Sequence, residues 1–447
     1  MEYEVIVVGG GMGGLTVAAV LAARGVNVCL LERQSQVGGC VATVEHAGYQ
    51  FEPTFGLYTG WEPDGLYHRL CAAIGVTAPR THPASFAYTV RLPDGVNIVR
   101  PGRFEEFDDT LRTAFPECAD AAIKFYRDLT KPLEAEQSPL AEHLATCSSR
   151  FRTFIDIQLQ TLAQCSSAEC RYQFAANVLD PRRSFWRIES GIQSFVDLLA
   201  ASFRQSGGKL RLNAPVLRLA YASDGCPIGV DLLNGERIVA TRALVSNLTI
   251  WDTYGKLIGP ARMPRQVAAT LKELRAWGVY QMFLAIKPEV APTVPQSPLL
   301  IASELTLDEL SNSGEHQLTF CADPSAATAV VSTYTIANDW FSFHEDQEAF
   351  ETRDRALLEV LWTRLHSAMP ELGDGVELIE TATPQTFYED LRRRFGMIGR
   401  PRPQSLNQST ASTPYPNLWM IGDTVARGSG IEGVVESAWQ LADHIPG

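Results

Sequence analysis

The chain has 447 residues, 45% of them apolar and 20% charged, with a formal net charge of −13. That length allows two or three domains around a large core, and the composition is that of an ordinary globular protein. The acidic balance argues against nucleic acid and against purely electrostatic binding to anionic membranes, and no apolar run reaches the ~20 residues that a transmembrane helix needs.

The first stretch, Val5 to Glu32, organises the rest. β-Branched residues Val5–Val8 run into Gly9, Gly11 and Gly14, in G-x-G-x-x-G spacing. A small-residue apolar helix is predicted from about Met12 to Arg24, broken by Gly25, and a second apolar run, Val26–Leu31, ends at Glu32. The context of strand, turn, helix and strand is what this motif requires. The first glycine allows the tight turn, the second admits a pyrophosphate, and the third lets helix and strand pack closely. The helix N-terminus offers N–H groups and a positive dipole end to phosphate. Glu32, at the end of the second strand, can accept hydrogen bonds from both hydroxyls of an adenosine ribose and would repel a 2′-phosphate. A fold that begins at residue 3 leaves no room for a leader, so a cytoplasmic location is expected, with a peripheral membrane contact as a variant.

Past Arg33, the pair Gly38-Gly39 lets the chain pass close to a pyrophosphate, as in FAD enzymes of the glutathione-reductase superfamily. A loop rich in glycine and aromatics covers 48–60, and a short helix is predicted over Leu66–Ile74. Strands Phe86–Arg91 and Val96–Arg100 flank the hairpin signal Pro93-Asp94-Gly95. Phe104 to about Ala176 is mostly helical, interrupted near Pro116, Pro132 and Pro139, and is too long for a loop. An amphipathic helix, Ile192–Phe203, restores the α/β pattern, followed by strands at Leu210–Leu212, Val216–Ala220, Gly229–Leu233, Arg237–Ala240 and Ala243–Ser246. Beyond Trp251, strands are predicted at Val279–Ile286, Gln317–Ala322, Ala329–Thr335 and Val376–Thr383, and a helix at about Gln347–Met369. The run Arg392-Arg393-Arg394 reads as a solvated helix face. The chain closes with the strand and turn Asn417–Asp423 and a helix, Val434–Ile445. The nine cysteines are scattered and odd in number, which predicts free thiols, and the C-x4-C pair Cys165 and Cys170 reads as structural, within a helix.

Taken together, residues 3–32, Gly38-Gly39, Gly191 with its helix, Val216 and the segment Asn417–Ala438 (NLWMIGDTVARGSGIEGVVESA) resemble FAD-dependent amine-oxidase-like flavoproteins. The segments Thr383–Phe387 (TPQTF), Lys209–Val216 (KLRLNAPV) and Ala243–Asn247 bring the resemblance closest to the phytoene desaturase and carotenoid isomerase family. It implies an α/β fold with a glutathione-reductase-like FAD-binding Rossmann domain and a second α+β substrate domain carrying a helical insertion. The FAD-binding domain would comprise 1–75, 187–250 and 401–447, and the substrate domain 76–186 and 251–400.

The resemblance also assigns residues. Gly9, Gly11, Met12, Gly13 and Gly14 would line the pyrophosphate, with Glu32 and Arg33 at the ribose and Gly38 and Gly39 along the phosphate and ribityl chain. Val216 would contact the adenine, and Gly422 and Asp423 the ribityl chain and phosphate. Gly430, Ile431 and Gly433 would bring a helix N-terminus to the flavin. Candidates beside the flavin for a catalytic role are Glu52, Tyr58, Arg427 and Glu432. Two departures stand out: Cys40 replaces the usual Arg or Lys after Gly-Gly, and Arg427-Gly-Ser-Gly430 replaces Pro-Gly-x-Gly. No cysteine lies in that C-terminal loop, so FAD is expected to be noncovalent. No metal site is expected. The implied activity is desaturation, saturation or isomerisation at C–C bonds of an apolar isoprenoid polyene, admitted between 104–176 and 251–399. An amine or amino-acid oxidase and a non-catalytic prenyl-binding chaperone of the same fold are the alternatives.

Overall fold

The computed structural model describes residues 1–101, 106–131, 138–303, 317–323, 325–341, 346–402, 413–426 and 428–445. Its first sheet is built on the strand Glu2–Val8, paired in parallel with Val28–Leu31 on one side and Arg237–Ser246 on the other. Lys209–Arg211 adds in parallel outside Val28–Leu31, and Leu418–Met420 outside 244–246. Parallel strands covered on both faces need side chains that bury in both directions, which is why these runs are apolar without alternation. Val5, Val7, Val28 and Leu30 pack against the helices Met12–Ala23, Gly191–Gln205 and Gly430–His444. Ile6, Val8, Cys29 and Leu31 face the other way, onto Trp251, Tyr254 and Met397. The first helix is buried from Met12 to Ala22, so it has no polar stripe.

The two strands expected between 237 and 246 form one. Its first half is antiparallel to Pro227–Leu232 and its second half parallel to Leu418–Met420. The polar Thr241 and Arg242 fall at an irregularity in the pairing with Glu2–Val8, which holds on either side of them, at 239–240 and 243–246, and keeps the strand continuous.

The second sheet has eight strands and is mostly antiparallel. Its longest member, Arg275–Ile286, lies between Thr328–Ile336 and Val376–Ala382. Tyr280, Met282 and Leu284 point to one face, where Leu357, Leu361 and Leu365 of the helix Gln347–Ala368 cover them. Phe283 points to the other, with Val330, Ala382 and Phe51. Farther along the sheet, Tyr88, Val90 and Leu300 join the aromatic core of the helical insertion, around Phe107, Phe151 and Phe154.

Cys165 and Cys170 lie in the bend between the insertion's helices Ser149–Ala163 and Tyr172–Leu179, rather than inside a helix as expected. All nine cysteines are free thiols. The arginine run is not a helix face either. Its helix, Pro384–Leu391, opens on a Thr383 capping box and ends at Arg392 in the left-handed conformation, so Arg393 and Arg394 lie beyond it.

Candidate active site

The glycine turn is held by contacts that a methyl group would destroy. A Cβ on Gly14 would lie 2.0 Å from the carbonyl oxygen of Gly9, and one on Gly13 would lie 2.8 Å from Asn247 Oδ1. Gly9 itself has φ +101°, and Gly38 has φ +118°. Gly38 donates its N–H to the Gly10 carbonyl at 2.9 Å, which draws the Gly38-Gly39 turn against the first glycine loop. Asn247, at the end of the strand Arg237–Ser246, donates Nδ2–H to the Gly9 carbonyl at 3.3 Å, and a Cβ on Gly422 would come within 3.1 Å of its Oδ1. Three loop segments thus meet around one asparagine. The helix beginning at Met12 has no side-chain cap and no acidic residue in its first turn, and the same holds for the cap of the helix Gly430–His444.

The Glu32 carboxylate is 8% exposed. Oε2 accepts the N–H of Gly10 at 2.7 Å, and Oε1 that of Gln34 at 2.8 Å. An ionised carboxylate offers about four acceptor positions, so each oxygen retains capacity for a hydroxyl donor. A Cβ on Gly10 would sit 3.1 Å from Glu32 Oε2, a tight contact that would press on the carboxylate.

A cavity of about 1050 Å³ runs from this turn to the second sheet. On the nucleotide side it is lined by Gly9, Gly11, Met12, Gly13, Glu32, Arg33, Gly38, Gly39, Val216, Asn247, Gly422, Asp423, Gly430 and Ile431. On the far side its lining includes Val44, Pro53, Phe283, Ala382, Phe387 and Ile398, together with Gln164, Gln281 and Thr386. Such a space exceeds the ~300–1,000 Å³ of most small-ligand pockets. Gly14 and Gly433 stand behind this lining: Gly14 meets Gly9, and a Cβ on Gly433 would lie 2.4 Å from the Gly428 carbonyl carbon.

Three of the four candidates beside the flavin have other partners. Glu52 accepts hydrogen bonds from Thr54, from the Tyr58 hydroxyl and from the Ile192 N–H, capping the helix Gly191–Gln205. Burial, reinforced by Glu52, raises the Tyr58 pKa well above its ordinary value. Glu432 binds Arg183 and the Thr59 hydroxyl, tying the last helix to the loop near Gly60. None of these three lines the cavity. Arg427 lies outside the described residues.

A different arginine lies in the cavity. Arg393 pairs with Asp423 Oδ2 at 2.7 Å, and its Nε donates to the Met397 carbonyl. The same Asp423 oxygen accepts the Gly399 N–H at 2.9 Å. Burial works against the Arg393 charge, but Asp423, Cys40 and Asp252 outweigh it and hold the guanidinium more firmly protonated than usual. Burial also raises the Cys40 thiol, with Arg393 acting in opposition. Arg393 thus brings a cation to the turn where Cys40 replaces one. Asn247 and Gly10 could have been suspected from the resemblance segment ending at 247 and from the unbroken triplet Gly9–Gly11. Nothing local to Arg393 announced it.

The cradle closed by glycines, the buried acid and the two uncapped helix starts fit a dinucleotide cofactor, and they define an FAD-dependent oxidoreductase. The chain belongs to the family of flavin containing amine oxidoreductases, whose model matches residues 12–446. It is similar to the chloroplastic prolycopene isomerase of Daucus carota, at 23% identity over 99% of this chain and 80% of that one. It is also similar to the all-trans-retinol 13,14-reductase of Homo sapiens, at 22% identity over 98% and 84%. The fold matches an oxidoreductase from Methanosarcina mazei with a TM-score of 0.72, at 16% identity over 99% of this chain and all of that one. Among the described residues no cluster suits a metal ion.

Proposed function

We propose that this protein uses noncovalent FAD to act on a C–C bond of an apolar isoprenoid polyene, by desaturation, saturation or cis–trans isomerisation. The observation that carries this reading is the cavity lining away from the glycine cradle, where Val44, Pro53, Phe283, Ala382, Phe387 and Ile398 stand with the uncharged polar Gln164, Gln281 and Thr386 in the same continuous space. The prolycopene and retinol relatives support it. FAD, when bound, supplies the acceptor or donor of electrons.

The chain's own groups hold and shield that chemistry. The turn amides and the start of the helix Met12–Ala23 would hold the pyrophosphate, and Glu32 the adenosine ribose. Asp423, oriented by Arg393, would hold the ribityl chain. The apolar wall excludes water from the reacting bond. No described helix is long and apolar enough to cross a membrane, and the insolubility of a polyene motivates a peripheral contact with lipid.

The test offers isoprenoid polyenes in liposomes and, separately, a panel of amines and amino acids, following flavin absorbance and polyene products. Conversion of a polyene is expected, with flavin bleaching if electrons transfer and without it if the reaction isomerises. Rapid bleaching by an amine, with no polyene changed, would overturn the proposal.

A further inference from the structure

We propose that Gln164 reads the head group of the substrate, and that this group is a hydroxyl on an otherwise apolar chain. The inference rests on the polyene reading and narrows it to isoprenoid alcohols. Gln164 lines the cavity from the end of the helix Ser149–Ala163, where it takes the left-handed conformation at φ 53°. A residue other than glycine is costly there, and it is held in place by two other elements. The Trp277 indole N–H donates to its carbonyl at 3.1 Å, and its own Nε2 donates to the Tyr334 hydroxyl at 3.0 Å.

That second bond fixes which way the carboxamide faces. The Tyr334 hydroxyl lies 3.4 Å from the Thr161 carbonyl, which can only accept. With Nε2 donating to Tyr334, whose own proton can turn to the Thr161 carbonyl across this long contact, Gln164 Oε1 is the outward atom. No described residue donates to Oε1, nor is it among the enclosed side-chain atoms that lack a partner. Oε1 is a fixed acceptor open to the cavity. Its place is kept clear by Gly399, where a Cβ would lie 2.4 Å away. The other carboxamide of this wall, Gln281, commits its donors to the Pro53 carbonyl and to Ser332, and its Oε1 is enclosed.

An uncharged acceptor with a free lone pair favours a ligand that brings one neutral donor. An ammonium would lose its hydration against an uncharged amide, which does not compensate it. A pure hydrocarbon would displace water from Oε1 and leave it unsatisfied.

The experiment measures binding to the FAD-loaded protein by absorbance shifts of two probes, all-trans-retinol and the matched hydrocarbon in which hydrogen replaces the hydroxyl. The wild type is expected to bind the alcohol about tenfold tighter. Gln164→Met is expected to bring the two within about twofold by weakening the alcohol alone, at unchanged FAD content. Tyr334→Phe, which frees the carboxamide while keeping it, is expected to lose part of the preference. Equal binding of the probes by the wild type overturns the inference whatever the variants do, and so does a preference that survives Gln164→Met. Loss of FAD from Gln164→Met would make the residue a cofactor contact and overturn it too. If neither probe binds, the polyene reading itself fails.

Discussion

At the scale of single residues, the site depends on atoms that are missing as much as on atoms that are present. Gly14 is the sharpest case, because a methyl group there meets the Gly9 carbonyl oxygen at 2.0 Å and both partners are backbone. Gly14→Ala should therefore cost ~3 kcal/mol or more, at or beyond the upper end for overpacked sites. Gly255→Ala, where a Cβ meets nothing within 4 Å and φ is not positive, should be neutral or slightly stabilising. Urea melts of the two variants make the comparison, and similar midpoints would contradict the packing argument. Glu32→Gln tests the acid at equal size. One carboxylate oxygen becomes an NH₂ facing either the Gly10 or the Gln34 N–H, and the charge is lost. Charge-assisted bonds contribute ~1.5–3 kcal/mol, so FAD affinity should fall tenfold or more in fluorescence titrations of the apoprotein. An unchanged affinity would move the ribose elsewhere.

At the scale of elements, what was legible in the sequence was what neighbours in sequence decide. The strand, glycine turn, helix and acid between Val5 and Glu32 are specified by a local pattern, and the hairpin strand Phe86–Arg91 was bounded by its turn. Arg393 and Gln164 were not legible as site residues, and Asn247 only as the last residue of a resemblance segment. Each reaches the cavity from the end of an element, and only the packing of distant segments says which end faces inward. The same physics gives Glu52 and Glu432 partners that spacing does not reveal: Glu52 spans 140 residues to Ile192, and Arg183 spans 249 to Glu432. The helix Ser149–Ala163 carries another feature that spacing does not reveal. Asp156 is 3% exposed; burial raises its carboxyl pKa to about 6, although Oδ1 accepts the Ser167 N–H at 2.5 Å. Its folded pKa is above its unfolded one, so the native state binds the proton more tightly. The stabilisation is full below about pH 4 and disappears as pH rises through about 6. Asp156→Asn abolishes that dependence. The variant should exceed the wild type in stability at pH 8 by on the order of 2 kcal/mol, with the gap closing toward pH 4. A gap that is constant across this range would mean that Asp156 titrates normally.

At the scale of the whole molecule, the cavity is assembled from parts that the chain keeps far apart. Its nucleotide side combines the turn at 9–13, the Gly38-Gly39 turn, Val216, Asn247, Gly422, Asp423, Gly430 and Ile431, and its far wall takes Phe283, Ala382 and Ile398 from the second sheet and Phe387 from the helix Pro384–Leu391. Direct bonds that tie these parts together include Gly38 to Gly10, Asn247 to Gly9, Arg393 to Asp423, and the Arg33 guanidinium to the Asp390 carbonyl. A cofactor touching all the segments at once adds binding energy that only the folded arrangement can collect. FAD bound to the native state alone stabilises it by RT ln(1 + [FAD]/Kd), which is ~2.7 kcal/mol at a hundredfold excess over Kd. Removing FAD, by a mild treatment that the noncovalent reading predicts to succeed, should lower the thermal midpoint. Adding FAD back should raise it steadily with the logarithm of concentration, with each tenfold increase adding ~1.4 kcal/mol. NAD or NADP at the same concentrations should leave the midpoint in place, because the chain carries one dinucleotide fingerprint and FAD occupies it. A midpoint that ignored FAD would mean that the native state does not bind it. A midpoint raised equally by NADP would mean that the Glu32 carboxylate does not discriminate at the ribose.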